Sequence, residues 1–122
     1  MNKFEKLYDK QSEFEDMLIM KIQTLPNKPL IDFDKKEQAS FSKELALLLY
    51  QEVGEFVNAV GNYKLHKTKE DGKDIKEIKE EIADMFIFVL DMALAHKLTA
   101  TELLNEIEQK QNKNFERQKK GY

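Results

Sequence analysis

The sequence predicts an all-α fold of the antiparallel four-helix-bundle type, the architecture of all-helical proteins with short connections. Only 4 glycines and 2 prolines interrupt the 122 residues, and no segment shows the apolar–polar alternation of a β-strand. Apolar residues instead recur at spacings of three and four in long segments, which is the pattern of amphipathic helices. The length suits one hydrophobic core, so we assign residues 1–122 to a single domain.

The composition excludes several classes of function. Cysteine is absent, which rules out disulfides and thiolate metal sites. The net charge is −3 with 35% charged residues, so broad binding to nucleic acid is not expected. No apolar run reaches the length of a membrane span, and the N-terminal residues MNKFEKLYDK lack the apolar core of a signal peptide. These features predict a cytoplasmic protein with no nucleic-acid or membrane partner.

The first helix is predicted over about residues 2–24. It ends before the loop LPNKPLIDFD, where Pro26 and Pro29 oppose helix formation. Its apolar stripe consists of Phe4, Leu7, Tyr8, Phe14, Leu18, Ile22 and Leu25. Gln11 falls within this stripe, where a polar side chain is unusual.

The second helix is predicted to start near residues 35–42 and to run to about Tyr63. One face carries Leu45, Leu48, Leu49, Phe56, Ala59 and Tyr63. Glu52 lies at the centre of that face, although burying an unpaired carboxylate is costly. The opposite side carries Ala46, Tyr50, Val53, Val57 and Val60. Two apolar faces indicate either a helix sandwiched in the core or one shared with a partner subunit.

The third helix is predicted from its cap at Asp74 to about His96. Thr99 and Glu102 form a capping box that opens a fourth helix, which runs to about Lys119. The inner stripe of this last helix changes from apolar to basic and polar along its length, through Leu103, Ile107, Lys110, Asn114 and Arg117.

The acidic residues within apolar surroundings form two pairs with the same spacing. Glu52 and Glu55 lie one turn apart on the second helix, and Glu81 and Asp84 repeat this spacing on the third. Antiparallel packing would bring the pairs face to face, where cations are needed to limit their repulsion. Ligands made only of oxygen select hard ions, so we expect Mg²⁺, with Mn²⁺ as an alternative. A di-iron site is not expected, because its Glu-x-x-His motif is absent. The alternative is an acidic docking surface or ion-pair network in a non-enzymatic helical interaction module.

The order EVGEFVNAVGNYK followed by KEEIADMFIF resembles the all-α nucleoside triphosphate pyrophosphohydrolases, whose signature is E-x-x-E followed by E-x-x-D. This superfamily includes the MazG proteins and the dimeric dUTPases. The dUTPase branch fits better, and its pattern is matched by Glu52, Gly54, Glu55, Asn58, Tyr63 and Lys64. The end of the chain resembles the same branch at Lys110, Asn114, Arg117 and Gln118. Gln11 matches the glutamine that the first helix of this branch supplies to its base pocket.

The resemblance implies hydrolysis of a deoxynucleoside triphosphate, with dUTP as the first expectation, to the monophosphate and pyrophosphate by a homodimer. Two or three Mg²⁺ ions are implied, and their implied ligands are Glu52, Glu55, Glu81 and Asp84. Glu52 or Glu55 is the implied catalytic residue that orients or deprotonates the attacking water. The implied contacts to the substrate are Gln11, Asn58, Asn62, Lys64, Lys110, Asn114 and Arg117. Asp91 lies two turns beyond Asp84 on the same side of the third helix and is expected to hydrogen-bond the metal ligands; the alternative is an interhelical salt bridge.

The sequence leaves the preferred base open. Members of the dUTPase branch commonly read F-K-x-W-K after the acidic motif, whereas this chain reads YKLHK at residues 63–67 and contains no tryptophan. A broader MazG-like pyrophosphohydrolase acting on several nucleotides is therefore the alternative within the same class of enzyme.

Overall fold

A computed structural model describes residues 1–22, 25–61 and 73–121, without the side chains of residues 73 and 74. This part of the chain forms four α-helices and one 3₁₀ turn: α1 (Lys3–Ile19), the turn Leu30–Asp32, α2 (Lys35–Val60), α3 (Lys73–Ala95) and α4 (Ala100–Lys119). It contains no strand, so the predicted all-α fold is confirmed. Of the helices described, none is long and apolar enough to cross a membrane.

The ends of the helices follow local capping. The predicted capping box of Thr99 and Glu102 is confirmed, with both reciprocal hydrogen bonds formed. A second capping box, which the sequence analysis did not identify, joins Asp34 and Glu37 at the start of α2. The expected end of α1 near residue 24 is wrong, because the helix ends at Ile19. The amides of Lys21 and Ile22 bond to carbonyls three residues back, as in the tightened last turn of many helices.

Side-chain contacts fix the directions of the helices. Near the start of α2, Ser42 is 2.9 Å from His96 just after the end of α3, whereas Glu52 in the second half of α2 meets Glu81 in the first half of α3. The two helices are therefore antiparallel, and their packing is the most extensive between any two described helices. Helix α1 packs on α3 in the same way, since Tyr8 bonds to the carbonyl of Leu98 and Gln11 to Asp91.

The core lies between α1, α2 and α3 and includes the loop before α2. Its buried apolar residues are Tyr8, Ile19, Leu30, Phe33, Phe41, Leu45, Leu90, Ala93, Leu94 and Ala95. The second apolar face of α2 does not join this core. Val53, Val57 and Val60 are 42%, 39% and 37% exposed. This face of α2 is therefore not sandwiched among the described helices, and its alternative, a face shared with a partner subunit, stays a prediction.

Two carboxylates lie inside the core. Glu15 of α1 is 1% exposed and Asp91 of α3 is 4% exposed. The only ion pair among the described residues joins Lys28 and Glu37, so no described cation neutralises either acid. Burial, with the nearby charge of Asp91, raises the pKa of Glu15 from 4.5 to about 8, and burial also raises the pKa of Asp91. The pair therefore keeps a proton at neutral pH, held on Glu15 beside Asp91.

The substitution Glu15→Gln should remove one source of pH-dependent stability. The folded protein keeps a proton on Glu15 up to a pKa of about 8, whereas the unfolded chain loses it near the ordinary pKa of 4.5. The wild type should therefore lose stability over this interval as the pH rises, by at most about 1.4 kcal/mol per pH unit for one proton. Urea unfolding at several pH values measures this slope, which should be shallower in the variant.

The matched control is Glu13→Gln, since Glu13 is exposed on the same helix. It should leave the slope of the wild type unchanged. Equal slopes for the wild type and Glu15→Gln would contradict a buried, protonated Glu15.

Candidate functional site

An acidic cluster forms where α2 and α3 pack together. One carboxylate oxygen from each of Glu52, Glu55 and Glu81 lies within 4.8 Å of the others. The local reason is helical spacing: Glu52 and Glu55 are one turn apart on α2, and antiparallel packing sets Glu81 opposite them. The matching spacings in the sequence predict that these three residues converge, and the structure places them together.

The helix surface around the cluster explains why Glu52 is half-buried. Leu45, Leu49, Phe56 and Ala59 occupy the positions before and after Glu52 at three- and four-residue spacing. This face packs on α3 and carries Glu52 into the interface with it. The Oε2 atoms of Glu52 and Glu81 are buried and lack a hydrogen-bond partner among the described residues. Unpartnered buried carboxylate oxygens are costly, which points to a ligand that supplies positive charge.

The electrostatics of the cluster agree with its geometry. Burial, followed by the charges of Glu55, Asp84 and Glu81, raises the pKa of Glu52 to about 7. Burial also raises the pKa of Glu81, with further contributions from Glu55 and Asp84. In the absence of a cation, the carboxylates therefore compete for protons, as expected when like charges share a site.

Asp84 lies at the margin of the cluster. Its carboxylate is outside the group that converges within 4.8 Å, and its side chain is exposed. Its charge is nevertheless close enough to raise the pKa of both Glu52 and Glu81. The structure therefore brings three of the four expected ligands together and leaves the fourth one turn along α3 from Glu81.

The donor set fits a hard divalent cation. Carboxylate oxygens are the ligands that Mg²⁺ and Mn²⁺ prefer, and both ions accept oxygen from water or a phosphate at the remaining positions. The two unpartnered oxygens of Glu52 and Glu81 are available for such a contact. The described residues thus offer a suitable site, which the exposed edge at Glu55 and Asp84 leaves open to solvent.

An apolar groove lies between α1 and α3. Its volume is about 370 Å³, and its walls include Leu7 and Phe14 of α1 and Phe86 and Ile87 of α3. Its lining on α3 extends from Ala83 to Leu90 and includes none of the four expected metal ligands. Gln11 also lines the groove, and its Nε2 donates a 2.7 Å hydrogen bond to Oδ1 of Asp91.

Asp91 therefore contacts the α1 side of the molecule. Its neighbours there are Gln11 and Glu15, and no hydrogen bond joins it to the acidic cluster within the described part of the chain. The expectation that Asp91 supports the metal ligands remains untested by this arrangement. The structure instead shows it holding Gln11.

The remaining expected substrate contacts are dispersed. Lys110, Asn114 and Arg117 are exposed on α4, and none of the three makes a hydrogen bond or ion pair with another described residue. The predicted inner stripe of α4 is confirmed only at its start, where Leu103 packs against the core, and it is wrong at Lys110, Asn114 and Arg117, which are exposed. Asn58 is exposed on α2, one turn after Glu55. Asn62 and Lys64 lie outside the described residues.

Glu15 is the one buried charged residue of this region that the sequence analysis did not single out. A signal for it exists, since Glu15 lies four residues after Gln11 and four before Ile19, on the same face of α1. The apolar stripe predicted for α1 is displaced by one residue from the face that is buried, and its members Leu7, Phe14 and Leu18 are exposed. The buried face of α1 is that of Tyr8, Glu15 and Ile19.

Comparison with known proteins assigns the chain to a family. A family model described as dUTPase matches residues 3–111, a range that includes α1, the acidic cluster and the first half of α4. No curated protein and no solved structure gave a match. The matched range covers most of the chain and fits the resemblance to the all-α branch that contains the dimeric dUTPases and the MazG-like pyrophosphohydrolases. The protein is a member of the dUTPase family.

Proposed function

We propose that this protein hydrolyses a deoxynucleoside triphosphate, with dUTP as the first candidate, to the monophosphate and pyrophosphate. The observation that carries the proposal is the convergence of Glu52, Glu55 and Glu81 within 4.8 Å at the α2–α3 interface. Membership of the dUTPase family supports the same reaction. The base preference rests on the resemblance and on the groove that contains Gln11.

Glu52, Glu55, Glu81 and Asp84 would hold two or three Mg²⁺ ions, with Mn²⁺ as an alternative. Bound divalent ions neutralise phosphate oxygens and make water more acidic. Three of these carboxylates already converge, and the Oε2 atoms of Glu52 and Glu81 have no other described partner. The fourth, Asp84, contributes from the exposed side, where a triphosphate chain can approach.

The protein residues have defined tasks in this reaction. Glu52 or Glu55 orients the attacking water and accepts its proton as the water oxygen bonds to the α-phosphorus. The bond from the α-phosphorus to the bridging oxygen breaks, and pyrophosphate leaves with that oxygen. Lys64, Lys110 and Arg117 bind phosphate oxygens, with Arg117 able to use two N–H groups at once. Asn58, Asn62, Asn114 and Gln11 contact the sugar and base.

The rival function is a non-enzymatic helical module whose acidic seam is a docking surface. A broader MazG-like activity on several nucleotides is the alternative within the enzyme class. The unpartnered buried oxygens of Glu52 and Glu81 favour a site for a small cation over a protein-docking surface, because a surface for docking keeps its acids hydrated until the partner arrives.

Mg²⁺ should raise the melting temperature of the protein. A ligand that binds only the folded state at about 100 times its dissociation constant stabilises that state by about 2.7 kcal/mol. Glu81→Gln should reduce this effect, because it removes a carboxylate of the cluster. The matched control Glu80→Gln changes an exposed neighbour on the same helix and should respond to Mg²⁺ like the wild type. The same melting temperature with Mg²⁺ and with a chelator would favour the docking-surface alternative.

Glu52→Gln and Asp84→Ala should each lower the turnover number for pyrophosphate release by about 100-fold or more. Even substitutions of residues that only support metal ligands cost about 10- to 100-fold. The measurement is pyrophosphate release in Mg²⁺ from a panel of dUTP, dCTP, dTTP, dATP, dGTP and ribonucleotides. Full turnover in both variants would show that these residues are not the ligands, whereas turnover of many nucleotides by the wild type would support the MazG-like alternative.

The protein is proposed to form a homodimer through the exposed apolar face of α2. Replacing Val57 by Glu should shift the mass from dimer to monomer, because a charge at a buried apolar interface is costly. Light scattering over a range of protein concentrations measures this shift. The control Ile31→Glu alters an exposed apolar residue in the loop before α2 and should leave the dimer intact. A wild-type mass equal to one chain at every concentration would refute the dimer.

A further inference from the structure

The buried acids Glu15 and Asp91 have no task in the proposed reaction, yet they are held in a specific arrangement. Asp91 accepts a 2.7 Å hydrogen bond from Nε2 of Gln11. The Glu15 carboxyl lies near enough to Asp91 for its pKa to be raised by that neighbour, and Oε2 of Glu15 has no hydrogen-bond partner among the described residues. Glu15 and Asp91 are 1% and 4% exposed. A charge buried to this extent is retained only where neighbouring groups satisfy it. Here the neighbours are a proton on Glu15 and an N–H of Gln11.

The location of the proton determines how the Gln11 amide is oriented. Burial places it on Glu15, whose pKa rises to about 8, so that Asp91 is the ionised member and only accepts hydrogen bonds. Turning the amide by 180° would set its Oε1 against the Asp91 carboxylate, and two acceptors repel each other. The Nε2 end of the amide is therefore fixed toward Asp91.

The rest of the Gln11 amide faces a groove of the right size for a flat ring. The groove has a volume of about 370 Å³ and is walled by Phe14, Phe86 and Ile87, and its first lining residue on α3 is Ala83, which precedes Asp84 in the chain. Asp91 follows Asp84 by two helical turns, which is about 10 Å along the axis of α3. With one N–H of Nε2 used by Asp91, the amide presents its Oε1 and its second N–H side by side. This pair matches an imide edge, in which a ring N–H adjoins a carbonyl.

We propose that Glu15 and Asp91 are positioning residues that lock the Gln11 amide in one orientation, so that the groove accepts a pyrimidine with an imide edge and rejects one with an amino edge. This inference rests on the proposed function. The imide N–H donates to Oε1 and the adjoining carbonyl accepts from Nε2. Cytosine reverses both groups, so its ring nitrogen meets Oε1 and its amino group meets the N–H. A fixed amide cannot turn to accommodate this reversal, whereas a free one can.

The test compares dUTP and dCTP in four variants. In Asp91→Asn the new amide can bond to either end of Gln11, so the lock is lost. The ratio of kcat/KM for dUTP over dCTP should fall by about tenfold or more, since mispaired buried groups cost at least this factor. The fall in this ratio should come from changes in KM. The kcat of Asp91→Asn for dUTP should stay within about threefold of the wild-type value, because the substitution leaves the metal ligands in place. Gln11→Met, which removes the amide and keeps its volume, should give the same loss.

Two further variants separate orientation from packing. Glu15→Gln keeps an N–H that can donate to Asp91, as the protonated acid can, and should therefore retain the ratio. Tyr8 lies on the same helix as Gln11, and Tyr8→Phe removes its hydrogen bond to the carbonyl of Leu98. This variant should lower stability without changing the ratio. A wild-type ratio near one, a ratio unchanged in Asp91→Asn or in Gln11→Met, or an equal loss in Tyr8→Phe overturns the proposal.

A binding measurement without metal keeps this test apart from the proposed function. In the presence of a chelator, dUMP should raise the melting temperature of the wild type more than dCMP does, and Asp91→Asn and Gln11→Met should abolish the difference. A wild type that releases no pyrophosphate from any nucleotide would refute the proposed function, whereas the preference for dUMP would still report on the lock. No difference between dUMP and dCMP in the wild type overturns the lock even if pyrophosphate is released.

Discussion

Mutual repulsion among carboxylates at the α2–α3 interface is the constraint on which the rest of this structure depends. Glu52 enters this interface because it sits at a helical spacing otherwise filled by leucine, phenylalanine and alanine. Glu55 and Glu81 converge on it, and burial with neighbouring charge raises the pKa of Glu52 to about 7. A helix pair that only needed to fold would fill these positions with apolar residues, since that packing is at least as stable. The acids are therefore best explained by what they bind.

The molecule contains a second set of buried acids, in which the repulsion between carboxylates is limited in a different way. Glu15 and Asp91 are more deeply buried than the cluster, but they share a proton and an amide N–H. Unpartnered oxygens occur in both regions, on Glu52 and Glu81 in the cluster and on Glu15 in the core, but only the cluster has an exposed edge, at Glu55 and Asp84. The first arrangement is suited to binding ions and the second to holding a neighbouring side chain rigid. The apolar groove between α1 and α3 contains Gln11, the side chain that Asp91 holds by a hydrogen bond.

Sequence reasoning predicted the helices and the acidic cluster because both depend on local spacing. The capping box at Thr99 and the two acidic pairs can be read within a few residues of each other. The spacing of Glu15 from Gln11 and Ile19 places it on the buried face of α1, but local spacing does not reveal its neighbour Asp91, which comes from a distant helix. The prediction that the basic and polar end of the α4 stripe faces inward was also wrong, since Lys110, Asn114 and Arg117 are exposed. Burial of a stripe depends on the surface available to cover it, and local spacing does not specify that surface.

Helix α4 is an example of a helix with little surface to cover it. Only its first turns, at Ala100 and Leu103, pack against the core, and the residue Lys97 before it adopts a left-handed backbone conformation. A 20-residue helix is about 30 Å long, so a rotation of about 10° at its base displaces its far end by about 5 Å. Arg117 and Lys119 sit near that far end. A small change in the turn after α3 would therefore move the basic tip of α4 across a distance comparable to the size of a phosphate group.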